Sequence, residues 1–297
     1  MNDRILNEIA RVAETVAASS KETGGLPSKA EVVTCLEKLR YILFPGYLET
    51  EQLEPAVRRA RLEALLKEVS ASLITQICLA NQHGPECGVE RQALAARGTE
   101  AAEEVTAAFL ARIPEIMGYL ASDIEALYQG DPAAYSRCEV ILSYPGLYAA
   151  MVYRVAHELH LLRVPLLPRM MTEHAHSLTG IDIHPGATIG RYFCMDHGTG
   201  IVIGETTVIG DHVKIYQGVT LGALSTKSGQ GLKSTRRHPT IGDHVTIYSG
   251  ATILGGDTVI GEHAVVGGNA FITKSVPAHT LVRMKSPELQ YKDGGIK

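Results

Sequence analysis

The sequence contains no tryptophan, and aromatic residues make up only 5% of its 297 residues. Side chains that could stack on bases are therefore scarce, and the net charge of −4 does not attract a polyanion. No apolar run approaches the ~20 residues of a transmembrane helix, and the N-terminus has no apolar signal segment. These absences argue against nucleic acid and membranes as partners, and we expect a cytoplasmic protein.

Cysteine is also sparse and scattered. The number of cysteines is odd, at five, and their spacing lacks the pairs that a disulfide framework or a zinc site needs. We expect these side chains to pack as small hydrophobic groups, and we expect no metal site. The cysteines are Cys35, Cys78, Cys87, Cys138 and Cys194.

The main positive signal is an aliphatic residue at about every sixth position between Ile183 and Ile272. This period fits neither an amphipathic helix, with about 3.6 residues per turn, nor an ordinary strand, with a period of about two. It is the hexapeptide signature of a left-handed parallel β-helix, in which three six-residue units form one triangular coil. The repeat residues are Ile183, Ile189, Met195, Ile203, Ile209, Ile215, Leu221, Ile241, Ile247, Ile253, Ile260, Val266 and Ile272.

One interruption of the repeat is long enough to leave the coil. Twenty positions instead of six separate Leu221 from Ile241, so residues 222–240 should form a protruding loop. The loop is rich in Ser, Thr and Gly, and two arginines precede His238 near its C-terminal end. A basic loop that ends beside a histidine favours an anionic ligand over a passive surface role.

The rest of the chain has helical periodicity, which predicts an α+β fold. Residues 1–140 should form an all-helical N-terminal domain that assembles protomers, and 141–179 should form connecting helices. The β-helix should occupy 180–282 as the catalytic domain, followed by a tail over 283–297. Helices are predicted over 4–18, from a capping box at Ser28 and Glu31 to Phe44, and over 51–79, 100–128, 145–162 and 168–177.

Chemically useful side chains concentrate in the second part of the chain, which holds eleven of the twelve histidines. Asp182 precedes one repeat residue and His197 follows another by two positions, so coil stacking should bring them together. A carboxylate on one imidazole nitrogen raises the basicity of the other, which makes a general base. Because β-helices of this period usually assemble as trimers, residues distant in sequence can also meet across a protomer boundary.

Five segments together resemble the serine O-acetyltransferase family, which acetylates L-serine from acetyl-CoA in cysteine biosynthesis. They are DIHPGATIG at 182–190, DHGTGIVIGET at 196–206, GVTLGA at 218–223, RHPTIGDHV at 237–245 and SGATILGG at 249–256. The resemblance spans about 131–282, and LFPGY at 43–47 with the helical leader resembles the subgroup with longer leaders.

The resemblance implies a set of catalytic residues. The family's general base matches His197, its supporting carboxylate matches Asp182, and a second active-site histidine matches His238. The reaction would join serine and acetyl-CoA in one ternary complex, because no Cys or Ser is placed beside a base to form an acyl-enzyme. Cys194, the nearest thiol, is expected to pack.

The resemblance also implies a serine site. Arg237 matches the arginine that holds the substrate carboxylate, while Asp131 and Asp196 match the acidic residues that face its ammonium group. Glu205 fits a supporting role. A zwitterionic substrate needs both kinds of charge, so this set is chemically complete.

For acetyl-CoA, the resemblance implies contacts made mainly through the backbone. The matching positions are Gly222, Ser249, Gly250 and Gly268, with Lys274 as a phosphate partner.

Several partners follow from the family. L-cysteine is the expected feedback inhibitor, and the assembly is expected to be a homotrimer or a dimer of trimers. In this family a C-terminal Ile can insert into O-acetylserine sulfhydrylase. Here Lys297 follows Ile296, which argues against this complex without excluding it.

Two readings from other classes stay open at this point. A β-helix can hold zinc in a carbonic anhydrase, for which His197, His212 and His263 would be the ligands. The chain could also be a scaffold without catalysis.

Overall fold

The computed structural model describes residues 2–19, 25–49, 51–82, 97–225, 227, 229–232 and 235–285. In these ranges the chain forms a helical region followed by a parallel β-solenoid of about five turns. No described helix is both long enough and apolar enough to span a membrane. The helices are α1 (Asp3–Ser19), α2 (Lys29–Leu43), α3 (Pro55–Gln82), α4 (Thr99–Gly130), α5 (Arg137–Ser143), α6 (Pro145–Leu161) and α7 (Leu167–Thr179).

The helix signals in the sequence are largely confirmed. The hydroxyl of Ser28 accepts the backbone N–H of Glu31 at 3.3 Å, which caps α2 as predicted. Pro114 lies within α4, which continues on both sides of it. Helix α5 was not predicted, because its seven residues are too few to establish a helical period. Helices α2 to α7 share one hydrophobic core, whereas α1 has no buried residue.

The solenoid consists of fourteen short strands in the described chain, all paired in parallel. Successive repeat residues stack on one another, as in the register Ile183↔Ile203, and each is at most 8% exposed. The six-residue period therefore marks the core, as predicted. The strands are β1 (Asp182–Ile183), β2 (Thr188–Ile189), β3 (Cys194–Asp196), β4 (Val202–Ile203), β5 (Val208–Ile209), β6 (Lys214–Tyr216), β7 (Thr220–Gly222), β8 (Thr240–Ile241), β9 (Thr246–Ile247), β10 (Thr252–Leu254), β11 (Val259–Ile260), β12 (Val265–Val266), β13 (Phe271–Ile272) and β14 (Leu281–Val282).

The strands form three faces, which we number in chain order. Face 1 contains β1, β4, β7, β10 and β13; face 2 contains β2, β5, β8 and β11; face 3 contains β3, β6, β9, β12 and β14. The chain passes from face 1 to face 2 to face 3 and back, so three columns of turns run along the solenoid. We call these corner 1/2, corner 2/3 and corner 3/1.

Corner 2/3 carries a ladder of stacked rings, which begins at Tyr192. The rings of His212 and His244 lie 4.6 Å apart and within 6° of parallel, and His263 and His279 continue the stack. All five residues have positive φ. The four histidines are exposed, so the ladder lines the outside of the turns instead of adding to the core.

A buried ion pair joins the helices to the first coil. Arg154 of α6 donates from Nε and Nη2 to the carboxylate of Asp123 in α4, at 2.6 and 2.8 Å. The same guanidinium donates to the carbonyl of Gly190, and Asp123 accepts the backbone N–H of Phe193. Both charges are satisfied by these contacts, which fix the coil that leads into β3.

The predicted loop leaves the solenoid after β7 and returns at β8. Strands β5 and β8 pair in register, with Val208 opposite Thr240, so the coil resumes without a shift. Within the described part of the loop, Gly229–Leu232 forms a short 3₁₀ helix. Residues 286–297 lie outside the described chain, so most of the predicted tail, including Ile296 and Lys297, is not described.

Candidate active site

The first cluster of predicted site residues lies at corner 3/1. Strand β3 ends at Asp196, and His197 follows with a φ of +59°, a left-handed conformation that turns the chain. Its Nε2 lies 3.8 Å from Oδ1 of Asp196, and its side chain is 72% exposed. An exposed imidazole beside a carboxylate is accessible to a substrate as a proton acceptor.

Asp131 joins this cluster from the end of α4. Its Oδ2 accepts the hydroxyl of Tyr144 at 2.6 Å, and its Oδ1 accepts the backbone N–H of Ala133 at 2.8 Å. These hydrogen bonds, with smaller contributions from the charges of Lys214 and His197, hold the pKa of Asp131 below its ordinary value. Asp131 is therefore an anion close to the candidate base.

Lys214 links Asp196 to the end of α4. Its Nζ donates to the carbonyl of Gly130, the residue before Asp131, at 2.5 Å and lies 3.3 Å from Oδ2 of Asp196. The ammonium group thus ties the end of α4 to β3. Sequence reasoning missed Lys214, since no motif marks it; the pairing of β6 with β3 places it beside Cys194.

Asp182 is the first residue of β1 on face 1 and therefore lies next to corner 3/1. Its backbone N–H donates to the carbonyl of Ile201. Its carboxylate, however, lies 3.4 Å from Nη1 of Arg169 in α7. Among the described residues, Asp182 and His197 form neither a hydrogen bond nor an ion pair with each other. The spacing of the repeats predicted contact between them. In the single chain the carboxylate of Asp182 contacts Arg169 instead, a residue of a helix that the repeat does not describe.

The second cluster lies at corner 1/2 and includes His238, at the end of the protruding loop. Its Nδ1 accepts the backbone N–H of Thr206 at 3.0 Å and lies 2.9 Å from the hydroxyl of the same threonine. An accepting Nδ1 leaves the ring proton on Nε2. Burial, followed by the charge of Arg237, lowers the pKa of His238 to about 4, so the ring is neutral near pH 7.

Arg237 precedes this histidine and forms an ion pair with Glu205. Burial alone would raise the pKa of Glu205, but the hydrogen bond and charge of Arg237 outweigh it together with the neighbouring His184 and His160, and the pKa is lowered. The backbone N–H groups of Arg237 and His238 both donate to the Thr206 hydroxyl, at 2.9 and 3.0 Å. The end of the loop is thus fixed to the coil that carries Glu205.

His184 extends the same cluster and was not predicted as a site residue, although it lies within the DIHPGATIG segment. Its Nδ1 accepts the backbone N–H of Gly186 at 3.0 Å, and burial lowers its pKa to about 4. The ring of His160 in α6 meets it edge-on, with ring centroids 6.2 Å apart. Burial also lowers the pKa of His160, so two imidazoles with lowered pKa values lie near Glu205 at this corner.

The positions predicted for acetyl-CoA divide between the same two corners. Ser249, Gly250 and Gly268 lie at corner 3/1, where the backbone N–H of Asn269 donates to the carbonyl of Ser249. Gly222 ends β7 of face 1, and so does not lie on that column. Lys274 follows β13, also of face 1, and is exposed.

Glycines along corner 3/1 leave the backbone of successive turns without side chains and close together. A Cβ on Gly200 would lie 3.4 Å from the Cα of Gly218, and one on Gly218 would lie 3.5 Å from the Cα of Gly250. All three have positive φ. The backbone is consequently open along a line from the His197 turn toward Gly268, which suits an extended ligand held by main-chain groups.

A single chain does not bring the two clusters together, because face 1 separates corner 3/1 from corner 1/2. Asp131, Asp196 and His197 belong to one, while Glu205, Arg237 and His238 belong to the other. The proposed zinc ligands are likewise divided: His212 and His263 lie at corner 2/3 with the ring of His244 between theirs.

Comparison with known proteins identifies the family. No family model matches the chain. The plasmid serine acetyltransferase of Synechococcus elongatus is 45% identical over 262 residues, which cover 86% of this chain and 81% of the relative. The chain belongs to the serine acetyltransferase family. Solved structures agree: Entamoeba histolytica serine acetyltransferase isoform 3, in complex with cysteine, matches with a TM-score of 0.74 at 32% identity, covering 99% of this chain and 97% of that one. The Neisseria gonorrhoeae serine acetyltransferase in complex with serine matches at 0.55 and 25% identity, covering 86% and 97%.

Membership of the serine acetyltransferase family identifies the chain as an enzyme with serine acetyltransferase activity. It implies acetyl-CoA as the co-substrate and a place in cysteine biosynthesis. The scaffold and carbonic anhydrase readings of the sequence are thereby replaced. The described solenoid and the separate helical region are the fold that the sequence predicted.

Proposed function

We propose that the acetylation of L-serine takes place between two protomers, with corner 3/1 of one chain facing corner 1/2 of the next. The observation that carries this proposal is the division of the candidate residues between the two ends of face 1. Each corner alone holds charges suited to only part of a zwitterion. A cyclic homotrimer supplies both corners at every interface, since its head-to-tail contacts close on themselves.

Serine binding follows from the charges of the two corners. Asp131 and Asp196 face the substrate ammonium, while Arg237 binds its carboxylate. Glu205 holds the guanidinium in place through the ion pair seen in the chain. Opposite charges at the two ends orient the hydroxyl between the corners, toward His197.

The chemical step is a direct acetyl transfer with His197 as general base. Its imidazole takes the hydroxyl proton while the serine oxygen attacks the thioester carbonyl. The new C–O bond forms as the C–S bond breaks, and the imidazolium gives its proton to the CoA thiolate. Catalysis of this kind typically contributes ~100-fold to ~10,000-fold. Asp182, at the same corner, supports the imidazolium in the assembled site.

His238 acts as a neutral hydrogen-bond donor. Its Nδ1 is already occupied by Thr206, so Nε2–H is free to donate to a substrate oxygen. Because its pKa is lowered to about 4, the donor keeps one charge state across neutral pH. Ser249, Gly250 and Gly268 of corner 3/1 hold acetyl-CoA together with Gly222 and Lys274, and no metal takes part.

L-cysteine should compete for the same charges, since it is serine with sulfur in place of oxygen. Two relatives from Entamoeba histolytica have been solved with cysteine bound, which supports this inhibition.

We also infer a cytoplasmic enzyme. Binding of a synthetic peptide of residues 288–297 to O-acetylserine sulfhydrylase would test that complex directly.

Complementation of two inactive variants tests the shared site. His197→Ala damages corner 3/1, and His238→Ala damages corner 1/2. Co-expression should restore serine-dependent CoA release to about a quarter of the wild-type rate, because random mixing pairs two intact corners at one interface in four. As a matched control, co-expression of His197→Ala chains with Asp196→Asn chains should give no activity, since both changes damage the same corner.

Absence of restoration in the first mixture would place the site within one chain. Comparing L-serine, L-homoserine and no acceptor in the same assay tests the substrate. A higher rate with homoserine would keep the chemistry and overturn the substrate.

A further inference from the structure

Helix α1 presents an apolar face that covers nothing in the described chain. Ile5, Ile9, Val12 and Val16 lie on this face, and each is about half exposed. No residue of the helix is buried. Helices in proteins gain most of their stability from packing of their apolar face, so this face calls for an occupant.

The spacing of the face is that of a coiled coil. The four residues follow one another at intervals of four, three and four, which places Ile9 and Val16 at the a position and Ile5 and Val12 at the d position of a heptad. All four are β-branched. Isoleucine-type residues at both a and d favour three or more strands over two.

The charges of α1 are compatible with self-association. Asp3, Arg4, Arg11 and Glu14 fall at the outward b, c and f positions of this heptad. Only Glu8 borders the seam, and it forms an ion pair within its own helix with Arg11. A lipid surface is a poorer occupant, because the polar face lacks the excess of basic residues that membrane-surface helices carry.

We propose that α1 forms a parallel three-stranded coiled coil with the α1 helices of the other protomers in its trimer. The exposed apolar face, with Leu6 beside it, offers roughly 450 Å² per helix, which is less than the ~1,200 Å² of an independent interface, so α1 adds to the contacts of a trimer that is already assembled. The proposal rests on the threefold assembly of the proposed function. Linking the helices to an assembled trimer raises their effective concentration, which offsets their short length.

A trivalent maleimide tests this arrangement, because it can join three cysteines at once. Val12→Cys places the thiol at a d position, where the three chains converge. Glu14→Cys, two residues later at an f position, is the matched control. The parent chain gives the background from its own cysteines, including the exposed Cys138.

We expect covalent trimers from Val12→Cys at least tenfold above those from Glu14→Cys. Adding Ile5→Glu and Ile9→Glu to Val12→Cys should abolish them while serine-dependent turnover persists, because α1 takes no part in catalysis. Equal labelling of both positions without trimers would overturn the coiled coil, and covalent dimers alone would overturn its three strands. If complementation between corners succeeds while crosslinking fails, only this inference is wrong.

Discussion

Thr206 contacts Nδ1 of the His238 imidazole twice, through its hydroxyl at 2.9 Å and through its backbone N–H at 3.0 Å. This threonine also accepts the backbone N–H groups of Arg237 and His238. The hydroxyl therefore fixes the end of the loop and contacts the histidine ring, while the backbone N–H fixes the tautomer of that ring.

Thr206→Val should remove this hydroxyl while keeping the shape of the side chain. Two partly buried N–H groups lose their acceptor, so we expect a loss of about 1–3 kcal/mol in the free energy of unfolding. We also expect kcat/KM for serine to fall about tenfold or more, since Arg237 and His238 lose their positions. Chemical denaturation and steady-state kinetics measure the two effects.

The neighbouring Thr207 provides the matched control. It is 1% exposed, and its hydroxyl has no hydrogen-bond partner within the described chain. Thr207→Val should therefore be neutral or slightly stabilising, because it removes an unpaired polar group. Equal losses in both variants would contradict the role given to Thr206.

The stability of the protein should fall as the pH drops from about 6.5 toward 4. His184 and His238 have pKa values of about 4 in the folded chain, below the ordinary value of 6.5. Between these limits the unfolded chain binds more protons, so stability is complete above the unfolded pKa and is lost on acidification. Replacing both residues with Asn should flatten this part of the unfolding profile, measured by urea denaturation from pH 4 to 7. A slope unchanged by the double substitution would contradict the assignment.

Tyr144→Phe should change how serine binding depends on pH. The tyrosine hydroxyl is the largest contribution to the lowered pKa of Asp131, so its loss raises that pKa. Asp131 then becomes protonated at a pH closer to its ordinary pKa of 3.8, so the serine KM should rise near pH 4 with little change at pH 8. Tyr148→Phe is the control, because that hydroxyl contacts Glu37 at 3.2 Å instead. Identical acid limbs for the two variants would separate Asp131 from serine binding.

Gly204→Ala should disable the enzyme without unfolding it. A Cβ at this position would overlap the imidazole of His238, which must then move away. We expect kcat/KM to fall about tenfold or more, with the melting temperature little changed. Gly118→Ala in α4 is the comparison, since its Cβ would meet only Arg191 at an ordinary 3.7 Å; it should add up to about 1 kcal/mol of stability. Full activity in Gly204→Ala would argue against a role for His238.

The sequence predicted the solenoid well because its core is periodic. Every repeat residue, from Ile183 to Ile272, is at most 8% exposed, and the long break after Leu221 is the loop. The capping box at Ser28 was equally local and was confirmed. Helix α5 escaped detection because its seven residues are too few to establish a period, although Ser136 accepts the backbone N–H of Glu139 in the same kind of cap as Ser28 and Glu31.

Side-chain partners across the fold were less predictable. The spacing of Asp182 and His197 correctly gives neighbouring turns, but Arg169 approaches from a helix that the period does not describe. Lys214 was missed for a related reason: its contact with Gly130 joins segments 84 residues apart. Motifs identify which residues matter in a family, whereas contacts between helix and coil depend on docking that no local pattern encodes.

The loop between β7 and β8 leaves and re-enters one coil without shifting it, since Val208 still pairs with Thr240. The strands on either side are therefore held by their neighbours above and below, and not by the loop itself. Insertions or deletions within the loop can accumulate without loss of folding, provided that Arg237 and His238 keep their positions at its end. The part of the chain that is freest to vary in length thus borders the residues proposed to hold the substrate, which makes it the natural place for the enzyme's selectivity to diverge.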